Sequence, residues 1–288
     1  MSASGAAREE GDGARVLKAR TAEGMSGLDA IVSDPRGAVI GLDFDGTLAP
    51  IVPDPTAARV HPDAPAALVE LGSLVGTVLV LTGRPAAVAV EYGSPPGGPG
   101  LADVPGLVVL GQYGVERWEA GEIVAPPPPP GVEHARAELP GLLDRLGTAG
   151  VRVEDKGRAL AVHTRRAADP EAALRALREP LEELARAAGL VVEPGRLVLE
   201  LRPPGMDKGR ALTAFLAERS ARSVLYAGDD LGDLAAYDAV RACGLPGVTV
   251  CSGSTEVTAL AERADIVVDG PDGVVALLRD LVAALRDR

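Results

Sequence analysis

Two aspartates at i and i+2 stand in the run Asp43-Phe44-Asp45-Gly46-Thr47-Leu48, directly after the apolar stretch Ala38 to Leu42. Asp, Gly and Thr are ordinary turn formers, but this spacing at a strand end can also do chemistry. A carboxylate at a strand end can attack phosphorus and form an aspartyl-phosphate. A second carboxylate two residues on can protonate the leaving oxygen and then activate water. Both groups are anionic and so is a phosphate ester, so a divalent cation is needed between them. Hard oxygen ligands favour Mg²⁺. A further carboxylate for that cation stands in Gly228-Asp229-Asp230-Leu231-Gly232-Asp233. Acidic residues also suit helix starts, so this cluster gains its meaning from the first. Thr82-Gly83-Arg84 offers a hydroxyl and a backbone N–H that could cradle phosphate, although the same residues can simply cap a helix. Lys208 lies in Asp207-Lys208-Gly209 at a predicted helix start. Cations are disfavoured at that end of the helix dipole, so an anionic partner explains the lysine better than solvent does.

The clusters at Asp43, Thr82 and Gly228 each follow a run suited to a buried strand, whereas Lys208 opens a predicted helix. Ala38 to Leu42, Val78 to Leu81, Leu107 to Leu110 and Ser223 to Ala227 are apolar or nearly so, and Val248 to Cys251 and Ile266 to Val268 repeat the pattern. Helical patterns lie between them, at Ala64 to Leu74, Gly209 to Arg219, Asp233 to Ala242, Ser254 to Ala261 and Gly273 to Leu285. Strands alternating with helices predict an α/β fold with a Rossmann-like parallel sheet. Ligands of such sheets bind at the carboxyl ends of the strands, where these polar clusters fall. Residues 1–35 read as a loose tail and a short helix.

The middle of the chain has another pattern. Five prolines, Pro126 to Pro130, form a stiff connector. A helix, two strands, a helix opened by Asp169-Pro170, and two more strands follow. This predicts an inserted α+β cap over residues 115–203, splitting the core into 36–114 and 204–288. Glu154, Lys156, His163, Arg165, Glu200 and Arg202 gather on the predicted strands and turn of the insert. They suit either a salt-bridged sheet surface or a polar binding face. His163 alternates with Leu160 and Val162 and also fits a structural histidine.

The four clusters, in this order, resemble the haloacid-dehalogenase-like phosphohydrolases. The resemblance implies Asp43 as nucleophile and Asp45 as general acid and base. It implies Thr82, Gly83 and Lys208 as phosphate binders. Asp43, Asp229 and the backbone carbonyl of Asp45 would then hold Mg²⁺. The second aspartate of the pair favours a phosphatase over carbon–halogen cleavage. LDFDGTLAPIV, LTGR, GQYGVER, VEDKGRALAVHTR and LELRPPGMDKGRAL are similar to segments of the trehalose-6-phosphate phosphatases, over nearly the whole chain beyond the tail. That implies hydrolysis of trehalose 6-phosphate to trehalose and phosphate, with Glu154, Lys156, His163, Glu200 and Arg202 reading the sugar. The last family motif often reads GDD-x-TDE, whereas Leu231-Gly232-Asp233-Leu234 follows the aspartate pair here. Asp230 and Asp233 therefore stay open as further metal ligands. The alternatives are a phosphatase of another sugar or pseudo-disaccharide phosphate, such as sucrose phosphate, and a non-catalytic sugar-phosphate sensor.

Composition excludes other classes. The 288 residues carry a net charge of −12 and only 2% aromatics, which argues against a nucleic-acid or anionic-membrane surface. Cys243 and Cys251 lack ligand spacing and read as free thiols. No secretory h-region or membrane-length apolar run is present. The expectation is a cytoplasmic monomer acting on a small sugar phosphate, with contact to the cognate synthase left open.

Overall fold

The apolar runs pair side by side. In the computed structural model, which describes residues 17–195, 197–253 and 258–288, they build one sheet of eight strands in the order β12-β11-β10-β1-β2-β3-β4-β5. In chain order the first half comprises α1 (Ala22–Ser33), β1 (Ala38–Leu42), α2 (Ala64–Leu74), β2 (Thr77–Leu81), α3 (Ala86–Tyr92), β3 (Leu107–Gly111), β4 (Glu116–Glu119) and β5 (Glu122–Val124). The insert holds α4 (Pro130–Leu146), β6 (Arg152–Asp155), β7 (Leu160–His163), α5 (Pro170–Ala187), β8 (Val191–Gly195) and β9 (Val198–Arg202). The second half adds α6 (Lys208–Glu218), β10 (Ser223–Gly228), α7 (Leu234–Ala242), β11 (Gly247–Gly253), α8 (Thr258–Arg263), β12 (Ile266–Asp269) and α9 (Gly270–Arg286).

Strands β12 to β3 run parallel. Every residue of β1, β2, β3 and β10 is buried, as a sheet covered on both faces requires. Successive side chains enter different cores. Ile40, Leu42, Val78, Val80 and Val109 pack with Leu28 and Ile31 of α1, Leu68 and Leu71 of α2, and Leu278 and Leu281 of α9. Val39, Leu79, Leu81, Val108 and Tyr226 pack with Leu212 and Phe215 of α6 and with Tyr237 and Val240 of α7. The chain leaves β1 for β2 and β3 on one side and later returns to β10 on the other. The order therefore reverses between β1 and β10, which opens a crevice at their carboxyl ends.

Two sequence expectations need correction here. The stretch after Val115, expected to open the insert, instead holds two strands of the large sheet: β4 pairs antiparallel with β3, and β5 pairs antiparallel with β4. Their residues ERWE and EIV are polar or exposed, and only Trp118 is buried, so no apolar run marks them. Helix α3 carries no signal of its own beyond small apolar residues and was not expected. Of the expected tail, residues 1–16 lie outside the described residues. So do 254–257 of the helix expected from Ser254.

The insert folds around a sheet of its own, in the order β6-β7-β9-β8 with every pairing antiparallel. Asp169 caps α5 by accepting from Ala172 N–H at 2.9 Å, with Pro170 in the first turn. Leu160, Val162, Leu199 and Leu201 pack on Val132 and Leu139 of α4 and Leu177 and Leu181 of α5. Because side chains alternate, the opposite face of this sheet is left polar. No helix among the described residues is long and apolar enough to cross a membrane.

Candidate active site

Asp43 directly follows β1, and its N–H still donates to Ala227 O at 2.8 Å, which holds it beside β10. Asp43 is only 4% exposed. Lys208 opens α6, whose cap Asp207 accepts from Arg210 N–H at 2.8 Å. Lys208 Nζ lies 2.9 Å from Asp43 Oδ1 and 2.7 Å from Asp233 Oδ1. The cation at a helix start has found its anions. Burial alone would lower the Lys208 pKa, but the Asp233 and Asp43 carboxylates outweigh it and hold the ammonium well above its usual range.

Asp233 is fully buried and its lone pairs are occupied. Oδ1 accepts from Lys208 and, at 2.7 Å, from the Tyr226 hydroxyl, while Oδ2 accepts the N–H groups of Asp229 and Asp230 at 3.1 and 3.2 Å. It orients Lys208 and shapes the turn that carries Asp229. Asp230 accepts from Gly232 N–H at 2.9 Å and caps that turn.

Carboxylate oxygens of Asp43, Asp229 and Asp233 lie within 4.8 Å of one another. Burial pushes the Asp43 carboxyl well above its usual range; Lys208 opposes this, and Asp233 and Asp229 add to it. Asp229 is pushed up to about 8, by burial first and then by Asp233 and Asp230. An all-oxygen donor set crowded with like charge fits a hard divalent cation, which would let these carboxylates stay ionised. The Gly46 turn packs tightly against this group. Its φ is +74°, and a Cβ there would sit 2.0 Å from Asp229 Oδ2, so only glycine fits. Ser252, which sequence reasoning missed, donates to Gly46 O at 2.6 Å and holds the loop.

Asp45 is not part of this cluster. Its carboxylate is gripped by Arg84 through both oxygens, at 2.7 and 2.6 Å. The Arg84 guanidinium in turn lies 5.7 Å from the Phe44 ring centre and 5.2 Å from that of Tyr92. Arg84 closes the Thr82-Gly83-Arg84 group, but nothing in the sequence pairs it with a residue 39 positions earlier. Thr82 is buried at the end of β2 and accepts from Arg84 N–H at 3.1 Å.

The insert residues share one face. The register aligns Glu154 with Ala161, Ala161 with Glu200, and Glu200 with Glu193. His163 and Arg202 lie two residues on, with the same facing. Each base has an acid partner: Lys156 with Glu200 at 2.5 Å, His163 with Glu154 at 2.9 Å, and Arg202 with Glu193 at 2.8 Å. The hydrogen bond from His163, more than any other influence, holds the Glu154 carboxyl below its usual range. Buried Glu200 Oε1 has no hydrogen-bond partner among the described residues. The polar face reaches the large sheet through Gln112, whose side-chain amide donates to Lys156 O, and through Arg202, 4.3 Å from the Tyr113 ring centre.

A family model described as trehalose-phosphatase matches residues 41–266, which includes both the strand-end cluster and the insert. The chain belongs to the trehalose-phosphatase family. A probable trehalose-phosphate phosphatase of Sinorhizobium fredii is 34% identical over 222 residues, spanning 75% of this chain and 79% of that protein. A trehalose-phosphate phosphatase of Mycobacterium avium is 35% identical over 261 residues, and the chain spans 60% of its length. The fold matches that of the C. albicans trehalose-6-phosphate phosphatase C-terminal domain with a TM-score of 0.70 at 20% identity, covering 93% of this chain and 99% of that one. The Aspergillus fumigatus trehalose-6-phosphate phosphatase superposes with a TM-score of 0.63 at 24% identity, covering 93% and 99%.

Proposed function

We propose that the chain hydrolyses trehalose 6-phosphate to trehalose and inorganic phosphate, the last step of trehalose biosynthesis. The observation that carries this reading is a buried strand-end aspartate held by a lysine and crowded by further carboxylates, beside a sheet face of paired acids and bases. Asp43 attacks phosphorus, and the bond to the sugar oxygen breaks. Asp45 gives its proton to that oxygen, which leaves as the sugar hydroxyl. Arg84 grips both carboxylate oxygens of Asp45, so Asp45 must leave this guanidinium to carry a proton. Asp45 then takes a proton from water, whose oxygen attacks phosphorus and frees Asp43 and phosphate. Lys208 and the Thr82-Gly83 backbone meet the charge on the phosphoryl oxygens. Asp43, Asp229 and the main-chain carbonyl of Asp45 would hold Mg²⁺, which supplies positive charge between the anionic ester and the anionic site.

Glu154, Lys156, His163, Glu200 and Arg202 would read the sugar, since each carboxylate accepts two or more hydroxyl donors. Cys243 and Cys251 are free thiols, which supports a reducing, cytoplasmic setting. The test is phosphate release from trehalose 6-phosphate, glucose 6-phosphate and sucrose 6-phosphate, with Mg²⁺ and with EDTA. The expected result is strong preference for trehalose 6-phosphate, lost with EDTA. Preference for another sugar phosphate overturns the sugar assignment, and binding without turnover overturns the enzyme assignment in favour of a sensor.

A further inference from the structure

The segment joining β3 to β4 has an uncommon backbone. Gln112 and Tyr113 are consecutive non-glycine residues with φ of +47° and +58°. Such conformations persist where the surroundings over-determine them, and they gather at ligand sites. The surroundings here come from both sheets. Gln112 N–H donates to Arg84 O and Tyr113 N–H to Thr82 O, each at 2.9 Å. The Gln112 side chain bonds Lys156 O and, at 3.2 Å, Glu116 Oε1. Arg202, itself tied to Glu193, faces the Tyr113 ring.

The phenol therefore stands at the seam of the two regions. A Cβ on Gly83 would lie 2.8 Å from the Tyr113 hydroxyl, which puts that hydroxyl against the expected phosphate cradle. The charges of Glu200, Lys156 and Arg202 from the insert and of Lys208 from the core all act on it. Burial first, and Glu200 next, raise its pKa, so it remains a protonated donor.

We propose that Tyr113 is a specificity-determining residue whose hydroxyl bonds a sugar hydroxyl near the phosphoester, with its ring, faced by Arg202, walling the sugar. This rests on the sugar-phosphate reading above. A simple aryl phosphate lacks that hydroxyl, so Tyr113 contributes less to it.

The experiment compares kcat/KM for the sugar phosphate that the wild type turns over best with kcat/KM for p-nitrophenyl phosphate. Tyr113→Phe keeps the ring and removes only the hydroxyl. It should lower the ratio of the two values about fivefold, through KM for the sugar phosphate more than through kcat. Tyr113→Leu, which also removes the wall, should lower it further. Melting curves check that both variants fold. An unchanged ratio in both variants, or equal losses on both substrates, overturns the assignment. If the wild type prefers a sugar phosphate other than trehalose 6-phosphate, the proposed substrate fails, and Tyr113 is judged on the preferred one. A chain that turns over p-nitrophenyl phosphate but no sugar phosphate overturns both.

Discussion

At the carboxyl end of the large sheet, three neighbouring carboxylates stand with one buried lysine, which contacts Asp43 and Asp233. On the polar face of the small sheet, acids and bases stand one to one, as Lys156 with Glu200, His163 with Glu154 and Arg202 with Glu193. The first region sets three acids against one base, and the second pairs each of these bases with an acid. An unbalanced buried cluster is costly by itself and demands a counter-charge. A hard divalent cation would supply that counter-charge. A balanced face has no such demand and suits a neutral polyol, whose hydroxyls can both donate to carboxylates and accept from bases. On the proposed reading, the first region does the chemistry and the second recognises the sugar.

The contrast is broken most directly at Asp43. Asp43→Asn should lower phosphate release by about 10⁴-fold or more. The fold should survive, because Lys208 keeps Asp233 as its partner. Phosphate assay and circular dichroism together check this, and retained turnover would remove Asp43 from the nucleophile's role.

The charge imbalance itself has a signature in stability. Without metal, Asp229 titrates near about 8 in the fold but near 3.8 when unfolded. Between those values the folded state holds the extra proton, so raising the pH favours unfolding. In EDTA, Tm should fall as pH rises from about 4 to about 8, and Mg²⁺ added at the upper end should restore several degrees. A Tm independent of Mg²⁺ across this range would contradict the imbalance.

The smallest effect is expected on the balanced face. Glu200→Gln should raise KM for the sugar phosphate about tenfold while changing kcat less than about threefold. Steady-state kinetics decide it. A loss carried wholly by kcat would move Glu200 out of recognition and into the chemistry.

How much of this was legible in the sequence differs between the regions. The central strands were legible because burial on both faces forces continuous apolar runs, and the polar clusters at Asp43, Thr82 and Gly228 follow those runs directly. β4 and β5 were not, because an edge hairpin needs only one buried residue, Trp118, and otherwise looks like a loop. Asp233 was visible as a residue but not as a role. Its four donors come from Lys208, Tyr226 and two amides, and only folding brings Lys208 to it. The grip of Arg84 on Asp45 and the support of Gly46 by Ser252 were hidden for the same reason.

The sequence alone determined the central strands, the residue types at their ends, and much of the insert's polar face, though not Glu193, because those depend on local pattern and on the period of two along a strand. Tertiary structure decided which of those groups meet. It set the reversal of strand order at β1 and β10, the partner of each buried charge, and the placing of Tyr113 between two sheets. Burial makes these pairings matter, and burial belongs to the assembled fold rather than to any stretch of chain.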